Sequence, residues 1–350
     1  MPVSIVVGGQ YGSEGKGKVA LALARQERGE AVVVRVGGPN SGHTGYDRSG
    51  RRWVLRQLPV AAVDGVRLIV LPAGSYIDPD LLLEEIASLG LAPEDVAISP
   101  QARVITSGHI DHEVNSKINQ SIGSTATGTG AAVVAAIQRG APDAGPAAVF
   151  AKNDDRLKPY VKSTIDLLRQ ALDEGRRVII EGTQGFGLSP LHSPHWPNVT
   201  SRDTSAAGFL SEAGLAPTDV DDVTLVLRCW PIRVSGNSGP LEAETDWETI
   251  SRESGAHIDL HEFTSVTKKL RRVGRFEFDI AKQAIAVNMP TRIVLNHLDH
   301  VDWRCHDGAL TSAARKFIHF VERGLNRNVN WVGTGVDSFV ELGQLSAVRA

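Results

Sequence analysis

Only two cysteines, Cys229 and Cys305, occur in 350 residues. Two thiols cannot make a disulfide framework, and they fit a reducing compartment. No apolar run approaches the roughly 20 residues that a bilayer-spanning helix needs. No sign of charge dominates: 37 Lys and Arg stand against 40 Asp and Glu, a net charge of −3. That balance argues against a protein whose main work is gripping nucleic acid or an anionic membrane. Aromatic residues are 5% and methionines two, too few to suggest a stacked cofactor box. The opening stretch from Met1 to Gly9 lacks the basic and long apolar segments of a secretion signal. The expectation is a cytoplasmic protein. There is no internal repeat and no useful Pro/Ser linker; 141–147 (APDAGPA) reads only as a loop. One large α/β domain over 1–350 is therefore favoured. Apolar residues are 42% and charged residues 22%, ordinary globular usage. A chain of this length buries a full core without staples.

Glycine is what the chain has in excess. There are 35, one residue in ten, against a usual share of about 7%. They cluster in residues 8–17, 37–45, 123–130, 182–187 and 333–335. Clustered glycine means positive φ or backbone brought close to something. Tight turns in an α/β protein are one reading; several loops converging on a phosphate-bearing ligand are the sharper one.

The hydrophobic pattern reads as alternating strands and helices. Strands are expected at 2–8, 31–36, 66–71, 177–181, 222–229, 291–296 and 328–332. Helices are expected at 18–28, 78–89, 157–172, 276–287 and 310–323. Strand, glycine loop, helix and strand within some forty residues make a βαβ unit, so a mostly parallel sheet flanked by helices follows.

The first glycine loop runs Gly8-Gly-Gln-Tyr-Gly12-Ser13-Glu14-Gly15-Lys16-Gly17-Lys18. It joins a strand to a helix, where orphan backbone amides and the helix dipole favour phosphate. It is P-loop-like without being a Walker A loop, because the spacing is longer and Gly17 stands in place of Ser or Thr. A dinucleotide fingerprint wants an acid at the end of the second strand, and this strand runs into Gly37-Gly-Pro-Asn40. The second loop, Gly37 to Gly45, carries His43, a candidate general acid or charge stabiliser. His257, His261, His297, Asp299, His300, Asp302, His306 and Asp307 crowd the later chain. No HExxH or paired-cysteine spacing accompanies them, so they are not read as a transition-metal site.

These loops resemble the signatures of the adenylosuccinate synthetase family, G-x-Q-W-G-D-E-G-K-G-K and G-G-x-N-A-G-H-T. The resemblance continues in family order through Gly123-Ser-Thr125-Ala-Thr-Gly-Thr-Gly130, Glu181-Gly-Thr-Gln184-Gly and Trp196-Pro-Asn-Val-Thr200-Ser. It goes on through Thr267-Lys-Lys269-Leu-Arg271-Arg-Val-Gly274, Leu298-Asp299 and Gly333-Thr-Gly335. It implies a carbon–nitrogen ligase, Mg²⁺-dependent and homodimeric. In such an enzyme the γ-phosphate of a nucleoside triphosphate moves to O6 of a purine monophosphate, and the amine of L-aspartate then displaces it at C6.

The resemblance assigns roles residue by residue. Lys16 and His43 would act in phosphoryl transfer. Asn40, Thr125, Arg139, Gln184 and Thr200 would hold the monophosphate, Arg139 reaching into the partner subunit. Gly12, Glu14, Gly15, Lys16, Gly17, Thr44, Asp299, Gly333 and Gly335 would hold the phosphate donor. Thr267, Lys269 and Arg271 would hold aspartate, and arginine suits a carboxylate bidentately. Gly42 and position 13 would face Mg²⁺.

Position 13 is the departure that matters. The family's Asp, which takes the purine N1 proton and helps hold Mg²⁺, is Ser13 here. A hydroxyl cannot do either task as a carboxylate does. It is smaller and neutral, leaving room for the 2-amino group of guanine. This pattern is similar to the 2-aminoadenylosuccinate synthetases of phages whose DNA carries 2-aminoadenine. It implies dGMP as substrate, acting in the host cytoplasm if the gene is a phage's. An ordinary IMP enzyme using GTP, and a catalytically idle nucleotide-binding relative, stay open. The family's Lys before Leu-Asp is His297 here, which loosens guanine recognition and favours ATP or dATP as donor.

Overall fold

The computed structural model describes residues 2–141, 145–264 and 268–343. Its centre is a nine-stranded sheet, numbered here in chain order: β1 Val3–Gly8, β2 Val32–Arg35, β3 Leu68–Leu71, β4 Val96–Ile98, β5 Val178–Glu181, β6 Val220–Arg228, β7 Arg292–Asn296, β8 Trp331–Gly333 and β9 Phe339–Glu341. The spatial order is β9-β8-β7-β6-β1-β5-β2-β3-β4. Every neighbouring pair is parallel except β8 with β9. The expected βαβ unit is there with one correction: β1 and β2 are not neighbours, because β5 is inserted between them.

Strand periodicity explains how both faces are covered. Val3, Ile5 and Val7 of β1 enter one core cluster with helices Thr164–Asp173, Ala206–Ala213, Phe278–Asn288 and Ser312–Leu325. Val6 enters the other, with helices Lys16–Gln26 and Pro79–Leu89. Side chains one residue apart point to opposite faces. A run of β-branched residues is therefore what a strand buried on both sides requires.

Three expected elements differ. The helix expected at 157–172 is only Thr164–Asp173, preceded by a 3₁₀ turn at Lys158–Tyr160. Pro159 breaks the earlier segment, since a ring in place of the N–H cannot sit inside a helix. The strand expected at 328–332 is Trp331–Gly333. The first helix begins at Lys16, two residues earlier than its pattern indicates, because Gly15 at φ 93° turns the chain straight into it. Helices Ser107–Asn115, Thr129–Gln138 and Trp247–Ser254 escaped the pattern reading.

Chain order reverses around β1. After it the chain moves to β2 on one side, while β5 leads to β6 on the other. Ligands in such sheets sit at the carboxyl ends of the strands beside this switch point. The loops after β1, β2, β5, β6, β7 and β8 all open there.

Candidate active site

A cavity of about 720 Å³ opens at that edge. Its lining includes Gly12, Ser13, Asn40, Gly42, His43, Thr125, Gln184, Thr200 and Arg271. Residues from six separate segments, picked out by motif alone, thus share one space. Thr127, Thr129, Ser201, Arg233 and Thr264 line it too. The signal for the two threonines was the Thr-x-Thr-x-Thr run already in view; Arg233 carried none.

Ser13 is half-buried and takes a left-handed backbone at φ 58°. Its carbonyl accepts from Nη1 of the buried Arg228 at 3.0 Å. The next residue, Glu14, is fully buried. Its carboxylate accepts from the backbone N–H of Gln10 and Gly12 and from Lys16 Nζ at 2.7 Å. It braces the loop from within, its side chain spent on these bonds. Lys16 is equally buried, its charge held by that pair. Gly15 is required where it is: a Cβ would stand 2.6 Å from Asn296 Nδ2. Gly17 packs against His43, where a Cβ would meet the imidazole's own Cβ at 2.9 Å.

His43 begins a short hairpin strand, His43–Tyr46 against Arg52–Leu55. Its Nδ1 lies 2.6 Å from Glu181 Oε1 and 2.7 Å from Arg35 Nη1, and Arg35 also pairs with Glu181. Burial pushes His43 down to about 4, with the Arg35 cation adding to it and Glu181 opposing. Glu181 is held below the ordinary carboxylate value: burial pulls it upward, and His43 and Arg35 outweigh that. The imidazole is therefore neutral at pH 7. Because Nδ1 faces both a donor and an acceptor, either neutral tautomer is satisfied. Nε2 can present a proton or a lone pair to the cavity. Sequence reading missed Arg35 and Glu181 as partners of His43, although Glu181 stood in a quoted motif.

Several residues expected to hold the phosphate donor gather around the first glycine loop. Asn296, at the end of β7, donates from Nδ2 to the Glu14 carbonyl at 2.7 Å. Lys18 Nζ donates to the Gly335 carbonyl at 2.7 Å and lies 4.3 Å over the Phe339 ring. Burial lowers Lys18 to about 8, Asp299 and Asp337 opposing. Asp299 is raised by its own burial. The first glycine loop and the helix after it are thus tied to Asn296 and Gly335. Thr44 adjoins His43 on the hairpin and is not part of the lining.

Arg271 and Thr264 reach the cavity; Lys269 is exposed on the same hairpin, and Thr267 lies outside the described residues. Arg139 is exposed at the end of helix Thr129–Gln138 and is not brought to the cavity of its own chain.

Among the described residues, Glu113 is the only carboxylate lining the cavity. Its oxygens are taken by the Gly128 and Ala131 amides at the start of a helix. Ser13 and Gly42 thus offer Mg²⁺ only neutral oxygens. Such a set suits Mg²⁺ carried in by nucleotide phosphates and does not make a self-standing protein site. Glu262, His297 and His300 converge with ligand atoms within 4.8 Å of one another. Arg228 already grips both Glu262 oxygens, supplying the positive charge a cation would bring.

The adenylosuccinate synthetase family model matches residues 5–146 and 146–304. The chain belongs to the adenylosuccinate synthetase family. It is a carbon–nitrogen ligase by that membership. A curated adenylosuccinate synthetase of Methanococcus aeolicus is 36% identical over 343 residues, covering 96% of this chain and 97% of that one. One from Archaeoglobus fulgidus is 33% identical over 341 residues, covering 96% of each. The Plasmodium falciparum adenylosuccinate synthetase structure superposes with a TM-score of 0.82 at 19% identity, over 98% of this chain and 100% of that one, which shows the fold. The succinoaminodeoxyadenylate synthetase of cyanophage S-2L, solved with dGMP and with dATP as an energy donor, gives 0.79 at 29% identity over 97% and 95%.

Proposed function

We propose that this ligase condenses dGMP with L-aspartate, driven by ATP or dATP, to give 2-amino-2′-deoxy-N6-succinyladenylate. Ser13 carries the reading. A hydroxyl is smaller than the family's carboxylate, so it leaves room for guanine's exocyclic 2-amino group and can accept or donate there. No other free carboxylate lines the described cavity to restore the lost base, while the phosphate cradle and His43 are intact. The cyanophage enzyme that this chain resembles over nearly its whole length is one that binds dGMP.

The chain's residues divide the work as follows. The phosphate loop, Lys16 included, positions the transferring phosphoryl group, a reaction that is mostly positioning and charge stabilisation. His43 Nε2 meets the charge that develops on O6. Asn40, Thr125, Gln184 and Thr200 hold the monophosphate, and Arg139 serves the neighbouring subunit of a homodimer. Arg271, with Lys269 and Thr267, takes the carboxylates of aspartate. Mg²⁺ on the triphosphate would neutralise phosphate charge beside Ser13 and Gly42. For the donor base, a lysine ammonium matches the O6 and N7 acceptors of guanine. The neutral His297 removes that preference and fits adenine.

The curated archaeal relatives at 33–36% identity carry the name of the ordinary enzyme and favour IMP, aspartate and GTP. Phosphate release from purified protein separates the readings. Release with dGMP, ATP and aspartate supports the proposal. Release with IMP and none with dGMP overturns it. Release with neither identifies an idle relative.

A further inference from the structure

Arg228 is the last residue of β6 and is fully buried. Its backbone is clamped to the phosphate loop: Gln10 Nε2 donates to its carbonyl at 3.1 Å, and its own N–H donates to Gln10 Oε1 at 2.9 Å. Nη1 donates to the Ser13 carbonyl at 3.0 Å and to Glu262 Oε2 at 3.1 Å, and Nη2 donates to Glu262 Oε1. Glu262 opens the hairpin that carries Lys269 and Arg271. Its carbonyl accepts from the Arg271 N–H at 2.8 Å, and the Thr264 N–H donates to the Lys269 carbonyl at 2.9 Å. A continuous polar chain therefore runs from the backbone of the purine-facing residue, through one guanidinium, to the base of the aspartate hairpin.

Two features make this more than a buried ion pair. Ser13 sits at φ 58°, a conformation that costs a non-glycine residue roughly 1 kcal/mol or more unless its surroundings impose it. The guanidinium holds the carbonyl of this residue in place. The Glu262 carboxylate, moreover, spends both oxygens on Arg228, so hairpin and loop share one planar contact whose geometry is fixed.

We propose that Arg228 and Glu262 are positioning residues that tie the aspartate hairpin to the backbone of Ser13, so that seating aspartate and seating the purine favour each other. This rests on the assignment of the purine to Ser13 and of aspartate to the hairpin. Coupling of this kind is reciprocal: each ligand tightens the other by the same factor.

The test measures KM for aspartate at saturating and at subsaturating purine monophosphate, using whichever monophosphate the enzyme turns over. A wrong choice of purine thus leaves the test intact, and a wrong choice of amino acid shows in the wild type, which would have no KM for aspartate. The expected wild-type result is a KM for aspartate that falls about fivefold as the monophosphate saturates. Glu262→Gln, which keeps shape and loses charge, should bring that ratio near one. Glu253→Gln breaks the surface pair with Arg275 in the same region and should leave the ratio alone. Arg228→Lys, holding one partner at a time, should give an intermediate ratio, and it carries the test if Glu262→Gln does not fold. A wild-type ratio near one, or a ratio unchanged in the folded variants, overturns the proposal.

Discussion

At the scale of single residues, the chemistry turns on how an uncharged histidine is held. His43 is kept neutral down to about pH 4 by burial and by Arg35. Its protonation should therefore put no limb on the rate profile between pH 5 and 8; an acid limb from this group belongs near pH 4. The effect on stability has the opposite reach. The unfolded imidazole takes a proton below about 6.5 while the folded one does not until about 4, so the unfolded state binds more protons in that window. Stability should fall as pH drops from 6.5 towards 4, and His43→Gln should flatten that slope in thermal melts. Glu181→Gln keeps the shape and removes the charge that balances Arg35. We expect kcat to fall roughly 10- to 100-fold with KM little moved, as for loss of a group that orients an acid–base partner. Unchanged kcat would mean that the pair only packs.

Elements, more than propensity, place these groups. Glu113 lies on helix Ser107–Asn115, yet its carboxylate accepts the Gly128 and Ala131 amides and so starts helix Thr129–Gln138. Glu113→Ala should destabilise the protein by about 2 kcal/mol, since two buried donors lose their partner. It should also raise KM for the monophosphate, because Thr125 precedes that helix; melts and initial rates check both. The sequence showed the strands as short β-branched runs, and the long amphipathic helices because their period persists over ten residues or so. Helix Thr129–Gln138, TGAAVVAAIQ, is apolar nearly all round and has no period to read. The same limit applies to Arg35, Glu181 and Arg228. Each sits in a strand or at its end, looking locally like a charged residue at a strand terminus, and only the parallel stacking of β2, β5 and β6 around β1 turns them inward. Glu14 shows the converse: nothing in the motif tells that its side chain braces its own loop.

For the whole molecule, loops from both sides of the switch point at β1 must meet for either substrate to be held. Motif order along the chain was enough to expect that meeting, because four of the five glycine loops follow a strand of the same sheet. Distances between the walls came only with the fold. The exposed apolar residues Val134 and Ile137, 49% and 71% accessible, share a helix with the outward-facing Arg139. If a second copy covers this face and receives Arg139, Ile137→Glu should shift the protein to monomer in equilibrium sedimentation and lower activity with it. A dimer that survives the substitution would remove Arg139 from the site. No helix among the described residues is long and apolar enough to cross a membrane.

The central claim concerns one hydroxyl, and competition tests it most directly. Equal concentrations of dGMP and IMP, with aspartate and ATP or GTP, are given to the wild type and to Ser13→Asp, and both succinylated products are counted. The account predicts that the wild type makes the 2-amino product at least about tenfold faster, the effect of a misplaced polar group at a purine edge. It predicts that Ser13→Asp reverses the ratio. A wild type that succinylates IMP and leaves dGMP untouched would contradict it.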